Sequence, residues 1–315
     1  MIAFIFPGQG SQAVGMGKAL AEQYPVCREV FDEADAALDE PLSELIFNGP
    51  ADALTLTENT QPAILTMSIA AYRALAAQGL EPDMMAGHSL GEYSAHVAAG
   101  TFALADAVRV VRNRGRYMQE AVPVGTGAMA AILGLDADEV EQVCHDASEG
   151  EIVSAANLNA PGQVVIAGTA AAVARAADRA KALGAKRVIA LQVSAPFHCA
   201  LMKPAETRLA ADLRSLRAES PRVPVVANVD ATPKRDAHAA IDALVAQVSA
   251  PVRWDAVMRR LAAEGATVFV EVGPGSVLSG LGRKVVPKAT FARIDRPEHV
   301  EDIVALVAAQ RGVRS

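Results

Sequence analysis

One short segment has the residue types and the spacing of a serine nucleophile. Gly87-His88-Ser89-Leu90-Gly91 matches the pattern G-x-S-x-G, with an apolar strand before it and a helical pattern after it. In this context the glycines allow a sharp turn that exposes the serine hydroxyl, and the start of the helix offers free N–H groups to an oxyanion. A plain tight turn is the alternative. We interpret Ser89 as a nucleophile.

A nucleophilic serine needs a base, and His198 is the candidate among the six histidines. It follows a predicted strand and precedes a new helix, and loops at the carboxyl ends of strands are where α/β sheets carry functional groups. On position alone, a purely structural histidine is the alternative. The adjacent Cys199 is a rival nucleophile, but it has no basic neighbour in the sequence that would activate its thiol.

The order of these residues argues against an ordinary α/β-hydrolase, in which an acid lies between the serine and the histidine. Between Ser89 and His198 no acidic residue stands at the end of a well-marked strand. A pair without an acid, in which an amide or a carbonyl group orients the histidine, fits this sequence better.

Arg114 lies on the apolar face of its predicted helix. When Leu104–Glu120 is wound at about 100° per residue, Arg114 falls in the middle of that face. The opposite face, predicted to be solvated, carries Arg109, Arg112 and Arg116. A buried guanidinium without an anion is costly. Two partners satisfy it: an internal Asp or Glu, or a substrate carboxylate held by the bidentate fork.

The hydrophobic pattern predicts the elements that position these residues. Short apolar runs such as Ile2–Phe6 and Met84–Gly87 alternate with longer amphipathic segments, which favours a parallel sheet covered by helices. From residue 125 to residue 193 the predicted order is instead β-α-β-β-α-β, typical of a ferredoxin-like unit. We therefore predict an α/β fold, a hydrolase-like parallel-sheet large subdomain with an inserted ferredoxin-like small subdomain.

The joints between the subdomains are predicted near Pro123 and Pro196. Residues 1–123 and 196–315 would form the large α/β catalytic subdomain, and residues 124–195 the ferredoxin-like small one. The predicted strands of the small subdomain are Ala128–Leu133, Ile152–Asn157, Val164–Gly168 and Arg187–Val193. The strands predicted after it are Val223–Asn228 and Thr267–Val272.

Composition and charge exclude several classes of protein. A chain of 315 residues, 51% of them hydrophobic, can bury a core, and 29 basic against 36 acidic residues give a net charge of −7. That charge argues against general binding to nucleic acid or to anionic membranes. Three separated cysteines indicate neither a disulfide framework nor a zinc site. Without a signal peptide pattern or the ~20 apolar residues of a membrane span, we expect a soluble, cytoplasmic protein.

Seven motifs stand in a fixed order along nearly the whole chain. They are Phe6-Pro7-Gly8-Gln9-Gly10-Ser11-Gln12, Thr60-Gln61-Pro62-Ala63, Gly87-His88-Ser89-Leu90-Gly91-Glu92-Tyr93, Arg114-Gly115, Pro161-Gly162-Gln163, Phe197-His198 and Glu271-Val272-Gly273-Pro274-Gly275. Together they resemble the malonyl-CoA:acyl carrier protein transacylases, the acyltransferase family of type II (dissociated) fatty acid synthesis. Polyketide acyltransferase domains share the core motifs, and those that select malonyl tend to have Phe before the histidine, as Phe197 is here. Ala195-Pro196 departs from the family's pattern.

The resemblance implies a reaction and a set of roles. Malonyl would pass from malonyl-CoA to the phosphopantetheine thiol of acyl carrier protein through a malonyl-serine, in a ping-pong sequence that needs no metal and no redox cofactor. The implied roles are Ser89 as nucleophile, His198 as base, the backbone N–H groups of Gln9 and Leu90 as oxyanion hole, Arg114 as carboxylate clamp, Gln247 as the residue whose oxygen orients the histidine, and Asn157 as a pocket residue.

Other functions stay open at this point. A serine thioesterase or esterase shares the nucleophile turn, but explains neither Arg114 nor the missing acid. A non-catalytic acyl-binding module shares the fold, but would need neither Ser89 nor His198. A malonyl transferase that serves a polyketide or decarboxylase carrier protein is a further alternative. We expect a monomer, with five cations that could meet an acidic carrier protein: Arg175, Arg179, Lys181, Lys186 and Arg187.

Overall fold

The computed structural model describes residues 1–123 and 125–312. The strands are β1 (Ile2–Phe6), β2 (Met84–Gly87), β3 (Gly127–Leu133), β4 (Val153–Ala160), β5 (Gln163–Thr169), β6 (Arg187–Ala190), β7 (Val225–Val226), β8 (Pro233–Lys234), β9 (Val268–Val272) and β10 (Thr290–Ile294). The α-helices are α1 (Lys18–Gln23), α2 (Pro25–Leu38), α3 (Leu42–Asn48), α4 (Ala51–Thr55), α5 (Thr57–Ala76), α6 (Leu90–Ala98), α7 (Leu104–Glu120), α8 (Ala137–Ser148), α9 (Ala170–Ala182), α10 (Lys203–Ser215), α11 (Ala237–Gln247), α12 (Trp254–Ala263), α13 (Val277–Val285) and α14 (Glu298–Gly312).

The larger sheet carries the nucleophile turn. Its strand order is β10-β9-β1-β2-β7-β8, and its pairings are parallel except that of β7 with β8. Every residue of β1 and β2 is buried, as expected of strands with helices on both faces. Since parallel strands end at the same edge, the loops after β1 and β2 lie side by side.

The two faces of β1 pack into different cores. Phe4 and Phe6 belong to the core formed with α2, α5 and α7, while Ala3 and Ile5 pack with Trp254 and other residues of α12 and α13. Successive side chains of a strand point to opposite faces. An uninterrupted apolar run is therefore what a strand in the middle of such a layered structure requires.

The smaller sheet is antiparallel, in the order β4-β5-β3-β6. Helices α8 and α9 cover it through a core of its own, which includes Ile132, Val140, Ile166 and Val173. This is the ferredoxin-like arrangement of strands and helices. The predicted fold class, a parallel-sheet large subdomain with a ferredoxin-like small one, is confirmed.

Several predicted elements differ from the structure. Strand β6 ends at Ala190 rather than Val193, because the chain from Leu191 to Val193 lines a cavity instead. The predicted strand Val223–Asn228 shrinks to two residues, since the chain turns back after Val226 to pair with β8. Strand β10 and helix α12 were not predicted.

Helix α7 has the predicted bounds, but the prediction that Arg112 faces solvent is wrong. Its side chain is buried, and Nη1 lies 2.9 Å from Oε2 of Glu40. Glu40 follows the end of α2, a helix that packs against α7. Part of the face expected to be solvated is therefore covered by this neighbouring element.

The predicted subdomain bounds include Val124 and residues 313–315, which lie outside the described residues. The bounds themselves stay a prediction. Among the described residues, no helix combines the length and the apolar character needed to cross a membrane.

Candidate active site

Ser89 stands on a strained turn between β2 and α6. Its backbone has φ 51° and ψ −109°, a region that residues with a side chain rarely adopt. The turn is also tightly packed. A Cβ on Gly91 would lie 2.0 Å from the carbonyl oxygen of Phe6, and one on Gly87 would lie 1.9 Å from the backbone of Gly91. Glycine is needed at both positions for β1, β2 and α6 to approach this closely.

The Asn228 side chain holds the turn at Ser89 through two hydrogen bonds. Its Oδ1 accepts a hydrogen bond from the Ser89 N–H at 2.7 Å, and its Nδ2 donates to the Gly87 carbonyl at 2.7 Å. The residue is fully buried. Asn228 was not predicted as a site residue, although a polar residue at the carboxyl end of a predicted strand is a usable signal.

Ser89 and His198 form a hydrogen-bonded pair. The Ser89 Oγ lies 2.7 Å from His198 Nε2, and His198 Nδ1 lies 2.9 Å from the backbone carbonyl oxygen of Gln247. A carbonyl oxygen only accepts, so Nδ1 carries the proton and Nε2 is left to accept from the serine hydroxyl. The geometry matches the expected pair in which a carbonyl group, rather than an acid, orients the histidine.

The surroundings keep this imidazole neutral. Burial, followed by the nearby Arg114 charge, lowers the pKa of His198 to about 3, because both disfavour a second positive charge in a closed site. A neutral imidazole can take a proton. The rival Cys199 is buried, and burial raises the pKa of its thiol to about 11, so it is not an activated nucleophile.

Arg114 is buried and its guanidinium is directed into the site. Nη1 donates to Gln61 Oε1 at 2.7 Å, and Nη2 donates to Gln247 Oε1 at 3.0 Å and to Ser89 Oγ at 3.1 Å. None of these acceptors is charged, and Arg114 has no carboxylate within ion-pair distance in the described part of the chain. The internal salt bridge weighed above is therefore not formed, and the cation is available to an anionic ligand.

Two further buried side chains support this arrangement and had no role in the sequence analysis. Gln61 holds Arg114, and Glu92 accepts a hydrogen bond from the Gln247 side chain at 2.8 Å. Both lie inside motifs quoted above, but their helical positions alone did not show which groups they meet. Gln61 reaches Arg114 from α5, and Gln247 reaches Glu92 from the end of α11, so only the packing of separate elements brings these groups together.

A cavity of about 500 Å³ opens onto the pair. The predicted site residues Gln9, Leu90, Arg114 and Asn157 line it together with Ser89 and His198. In the described part of the chain, neither the Gln9 N–H nor the Leu90 N–H has a hydrogen-bond partner. Leu90 is the first residue of α6, where a helix leaves its N–H groups unsatisfied.

This arrangement can carry out nucleophilic acyl transfer on an anionic acyl group. It has a hydroxyl hydrogen-bonded to a neutral base, and the same cavity is lined by two residues whose backbone N–H groups have no partner in the described part of the chain and by a guanidinium with no carboxylate partner there. No group of His, Cys, Asp and Glu side chains suited to a metal ion occurs within residues 1–123 and 125–312.

Comparison with known proteins gives relatives over nearly the whole chain. Residues 3–304 match the family described as acyl transferase domain. The chain is 52% identical over 296 residues to malonyl CoA-acyl carrier protein transacylase of Escherichia coli (strain K12), covering 94% of this chain and 96% of that one. It is similar in structure to an acyl carrier protein S-malonyltransferase from Vibrio cholerae, with a TM-score of 0.94 and 46% identity over 96% of this chain and 99% of that one.

A third similar structure is a complex. It contains a type II polyketide synthase acyl carrier protein with its malonyl-transacylase. The TM-score is 0.93 and the identity 46%, over 95% of this chain and 97% of that one.

Proposed function

This chain belongs to the family of acyl transferase domains, and from that premise we propose that it transfers malonyl from malonyl-CoA to the phosphopantetheine thiol of acyl carrier protein. The reaction supplies malonyl units to fatty acid synthesis. One observation carries the proposal: Ser89 Oγ lies 2.7 Å from a neutral imidazole and 3.1 Å from a guanidinium that no carboxylate of residues 1–123 and 125–312 neutralises. A nucleophile beside an unpaired cation suits an acyl group that ends in a carboxylate.

In the first half-reaction His198 Nε2 takes the proton of Ser89 as the oxygen attacks the thioester carbonyl of malonyl-CoA. The hydrogen bond that His198 Nδ1 donates to the Gln247 carbonyl oxygen holds the imidazole ring in place. The tetrahedral intermediate then collapses, its C–S bond breaks, and the CoA sulfur leaves with the proton from His198. A malonyl ester of Ser89 remains.

The free N–H groups of Gln9 and Leu90 would bind the oxyanion of that intermediate. They are backbone donors at a fixed place, so they need no reorganisation when the negative charge develops. The Ser89 N–H is already used by Asn228, which leaves the next N–H along the helix for the substrate. Asn157 lines the same cavity and would contact the acyl chain or the thioester.

Arg114 would bind the free carboxylate of malonyl. Its fork donates two parallel hydrogen bonds, a geometry that suits carboxylates. On substrate binding the bond to Ser89 Oγ would give way to one to the carboxylate, while Gln61 continues to hold Nη1. An acetyl group has no such anchor, so the same site would discriminate against it.

The second half-reaction runs the same steps with a different thiol. His198 takes the proton of the phosphopantetheine thiol, the thiolate attacks the malonyl-serine ester, and Ser89 Oγ leaves with the proton. All of these groups come from one chain, so the reaction needs no second copy of the protein, and we propose a monomer that uses neither a metal nor a redox cofactor and works in the cytoplasm. Transfer should then be unchanged after dialysis against a chelator.

Radiolabelled malonyl-CoA without carrier protein tests the function directly. We expect a stable label on the wild-type protein in a denaturing gel, released when acyl carrier protein is added. Ser89→Ala should lose the label and at least ~10³-fold of the transfer rate. Rapid conversion to free malonate would instead indicate a thioesterase, and the absence of label would indicate a binding module. Label retained by Ser89→Ala would contradict the serine mechanism.

A polyketide carrier protein is a second candidate acceptor. The observation behind it is the likeness to a malonyl-transacylase in complex with a type II polyketide synthase carrier protein. Chase of the labelled enzyme with holo carrier proteins of both kinds distinguishes the two. Comparable release by both would indicate a shared supply of malonyl, and release by the fatty acid carrier alone would restrict the function to fatty acid synthesis.

A further inference from the structure

Glu92 is a buried carboxyl group inside the site that the mechanism does not use. It lies in the first turn of α6, three residues after the nucleophile, and has no exposed surface. Its Oε2 accepts two hydrogen bonds, from the Asn228 N–H at 3.0 Å and from Gln247 Nε2 at 2.8 Å. Its Oε1 has no partner among the described residues. Glu92 thus contacts two residues that hold the nucleophile or the guanidinium.

The hydrogen bond to Gln247 determines which way that side-chain amide faces. Nε2 donates to Glu92 Oε2 and to the Ser89 carbonyl oxygen at 3.0 Å, so Oε1 is left facing Arg114 Nη2 at 3.0 Å. In the opposite orientation the amide NH₂ would face a guanidinium, which has donors only. Nε2 also lies 3.5 Å from Asn228 Oδ1, a longer contact. Of the two closer acceptors, only the Glu92 carboxyl is a side chain that a substitution can remove.

We propose that Glu92 is a positioning residue for malonyl selectivity, acting through the Gln247 amide to hold the Arg114 guanidinium where the substrate carboxylate binds. The inference rests on the proposed function. Glu92 does not touch the substrate. Its effect passes through one hydrogen bond to Gln247 and a second from Arg114 to Gln247.

The Gln247 amide lies between the Glu92 carboxyl and the Arg114 guanidinium, and this order affects the charge available to the substrate. A carboxylate in direct contact with Arg114 would form a bidentate pair and occupy the fork that malonyl needs. A neutral amide oxygen accepts one N–H and leaves the cation uncompensated. The arrangement therefore fixes the direction of the guanidinium without neutralising its charge.

The charge state of Glu92 does not alter this geometry. Burial raises the pKa of Glu92 to about 7, so both forms are present near neutral pH. Oε2 accepts hydrogen bonds in the ionised form, and it still accepts them when the proton is on Oε1. An uncharged isostere with an oxygen in the Oε2 position should therefore preserve the function.

Two substitutions of Glu92 separate the hydrogen bond from the charge. Glu92→Met fills a similar volume without an acceptor, and Glu92→Gln keeps an acceptor without a charge. We measure kcat/KM for acylation by malonyl-CoA and by acetyl-CoA and compare the ratio of the two. In Glu92→Met the ratio should fall about tenfold or more, the range for loss of a hydrogen bond to a charged partner. In Glu92→Gln it should stay within about threefold of the wild-type ratio.

Glu271→Met is the matched control. Like Glu92, Glu271 is a fully buried carboxyl group whose oxygens accept two N–H groups and which does not line the cavity. Its two donors are the backbone N–H groups of Leu278 and Ser279, and among the described residues it has no hydrogen bond to Gln247. Its loss should lower the melting temperature and leave the malonyl/acetyl ratio unchanged. If Glu92→Met does not fold, Glu92→Asp withdraws the acceptor by about one C–C bond, ~1.5 Å, and should lower the ratio in the same direction.

Three outcomes would overturn the inference. One is an unchanged ratio in folded Glu92→Met or Glu92→Asp, another is a loss in Glu92→Gln as large as that in Glu92→Met, and the third is an equal fall in the ratio in Glu271→Met. Arg114→Ala is assayed in parallel. If that variant loses malonyl preference while Glu92→Met keeps it, only the inference fails. If wild type forms no malonyl-serine, the proposed function fails.

Discussion

Ser89 and His198 form a hydrogen-bonded pair, and the backbone of both residues has a positive φ. Their φ angles are 51° and 60°, and each such conformation costs of order 1–3 kcal/mol for a residue with a side chain. Hydrogen bonds offset this cost, from Ser89 N–H to Asn228 and from His198 Nδ1 to the Gln247 carbonyl. In these conformations the two side chains, which come from distant loops, lie 2.7 Å apart.

His198→Ala should slow both half-reactions, because the same imidazole takes the proton of Ser89 and later that of the carrier thiol. Loss of a general base is worth ~10²–10⁴-fold. Since burial and the Arg114 charge lower the pKa of His198 to about 3, the wild-type acylation rate should show no acid limb at the ordinary histidine pKa near 6.5. Single-turnover labelling from pH 5 to pH 8 measures the acylation rate and its pH dependence. Release of the label by acyl carrier protein measures the rate of the second half-reaction. A rate loss confined to the carrier step would assign His198 to carrier recognition instead.

Arg114→Ala separates substrate choice from chemistry. The desolvated malonyl carboxylate would lose its partner, a loss of about 3–5 kcal/mol for a buried pair, so malonyl transfer should fall ~100-fold or more. Acetyl transfer should survive or improve, because acetyl has no carboxylate. Arg109→Ala on the same helix is the control, since its side chain is half-exposed and pairs with Asp106. Equal losses of malonyl and acetyl transfer in folded Arg114→Ala would show that Arg114 is structural.

At the level of single residues the sequence was informative where a residue type contradicted its surroundings. A cation on an apolar face and a serine between glycines predicted Arg114 and Ser89 as site residues, and both line the same cavity. Gln61, Glu92 and Asn228 were not predicted. Their types are compatible with exposed positions as well as buried ones, and only the packing of separate elements shows which groups they meet.

Among the elements, the nucleophile turn depends on the close approach of α6 to β1. Gly91→Ala would place a Cβ 2.0 Å from the Phe6 carbonyl oxygen, and neither backbone can yield without moving the helix. Such overpacking costs about 1–3 kcal/mol, and a displacement of about 1 Å at the nucleophile costs ~100-fold in rate. We expect lower stability together with slow acylation, measured by thermal melting and by malonyl labelling.

Gly280→Ala is the matched control for that substitution. Gly280 lies within α13, and a Cβ there meets no atom within 4 Å. Alanine in place of an unhindered helical glycine stabilises by up to ~1 kcal/mol. Normal labelling in Gly280→Ala with loss in Gly91→Ala would support the contact with Phe6. Full activity in Gly91→Ala would show that α6 can shift without moving Ser89.

Elements with a clear hydrophobic period were predicted well, and elements defined by their neighbours were not. β1, β2 and α7 have the predicted bounds, because continuous burial or a single buried face determines their residues. β10 lies at the edge of the sheet with most of its residues only half-buried. Its sequence therefore lacks the apolar run of a central strand.

On the scale of the whole molecule, the cavity lies where the two sheets meet. Met129 and Asn157 line it from β3 and β4 of the smaller sheet, and Ser89 and Arg114 line it from the larger part. This enclosure would restrict water, the competitor of the carrier thiol for the ester. Three of the five cations considered for carrier docking, Arg175, Arg179 and Lys181, form ion pairs with acids of their own subdomain.

Buried titratable groups make the stability of the whole fold depend on pH in two directions. Both His96 and His198 have a pKa of 6.5 in the unfolded chain. Burial lowers the pKa of His96 to about 3, and burial together with the Arg114 charge lowers the pKa of His198 to about 3. Between pH 3 and 6.5 the unfolded state binds these two protons and the native state does not, so stability rises with pH. Burial raises the pKa of Glu92 from 4.5 to about 7. Between pH 4.5 and pH 7 the native state therefore binds one proton more than the unfolded state at Glu92, and this contribution to stability falls as pH rises.

Glu92→Gln and His96→Gln should therefore tilt the pH dependence in opposite ways. Relative to wild type, the unfolding free energy of Glu92→Gln should increase from pH 4.5 to pH 7, because an amide cannot ionise. Relative to wild type, the unfolding free energy of His96→Gln should decrease from pH 3 to pH 6.5. The reason is that glutamine does not take up a proton on unfolding, so one contribution that rises with pH is lost. Each slope difference should approach that of one proton, about 1.4 kcal/mol per pH unit. Urea unfolding at several pH values measures the slopes, and parallel curves for the three proteins would contradict the assigned titrations.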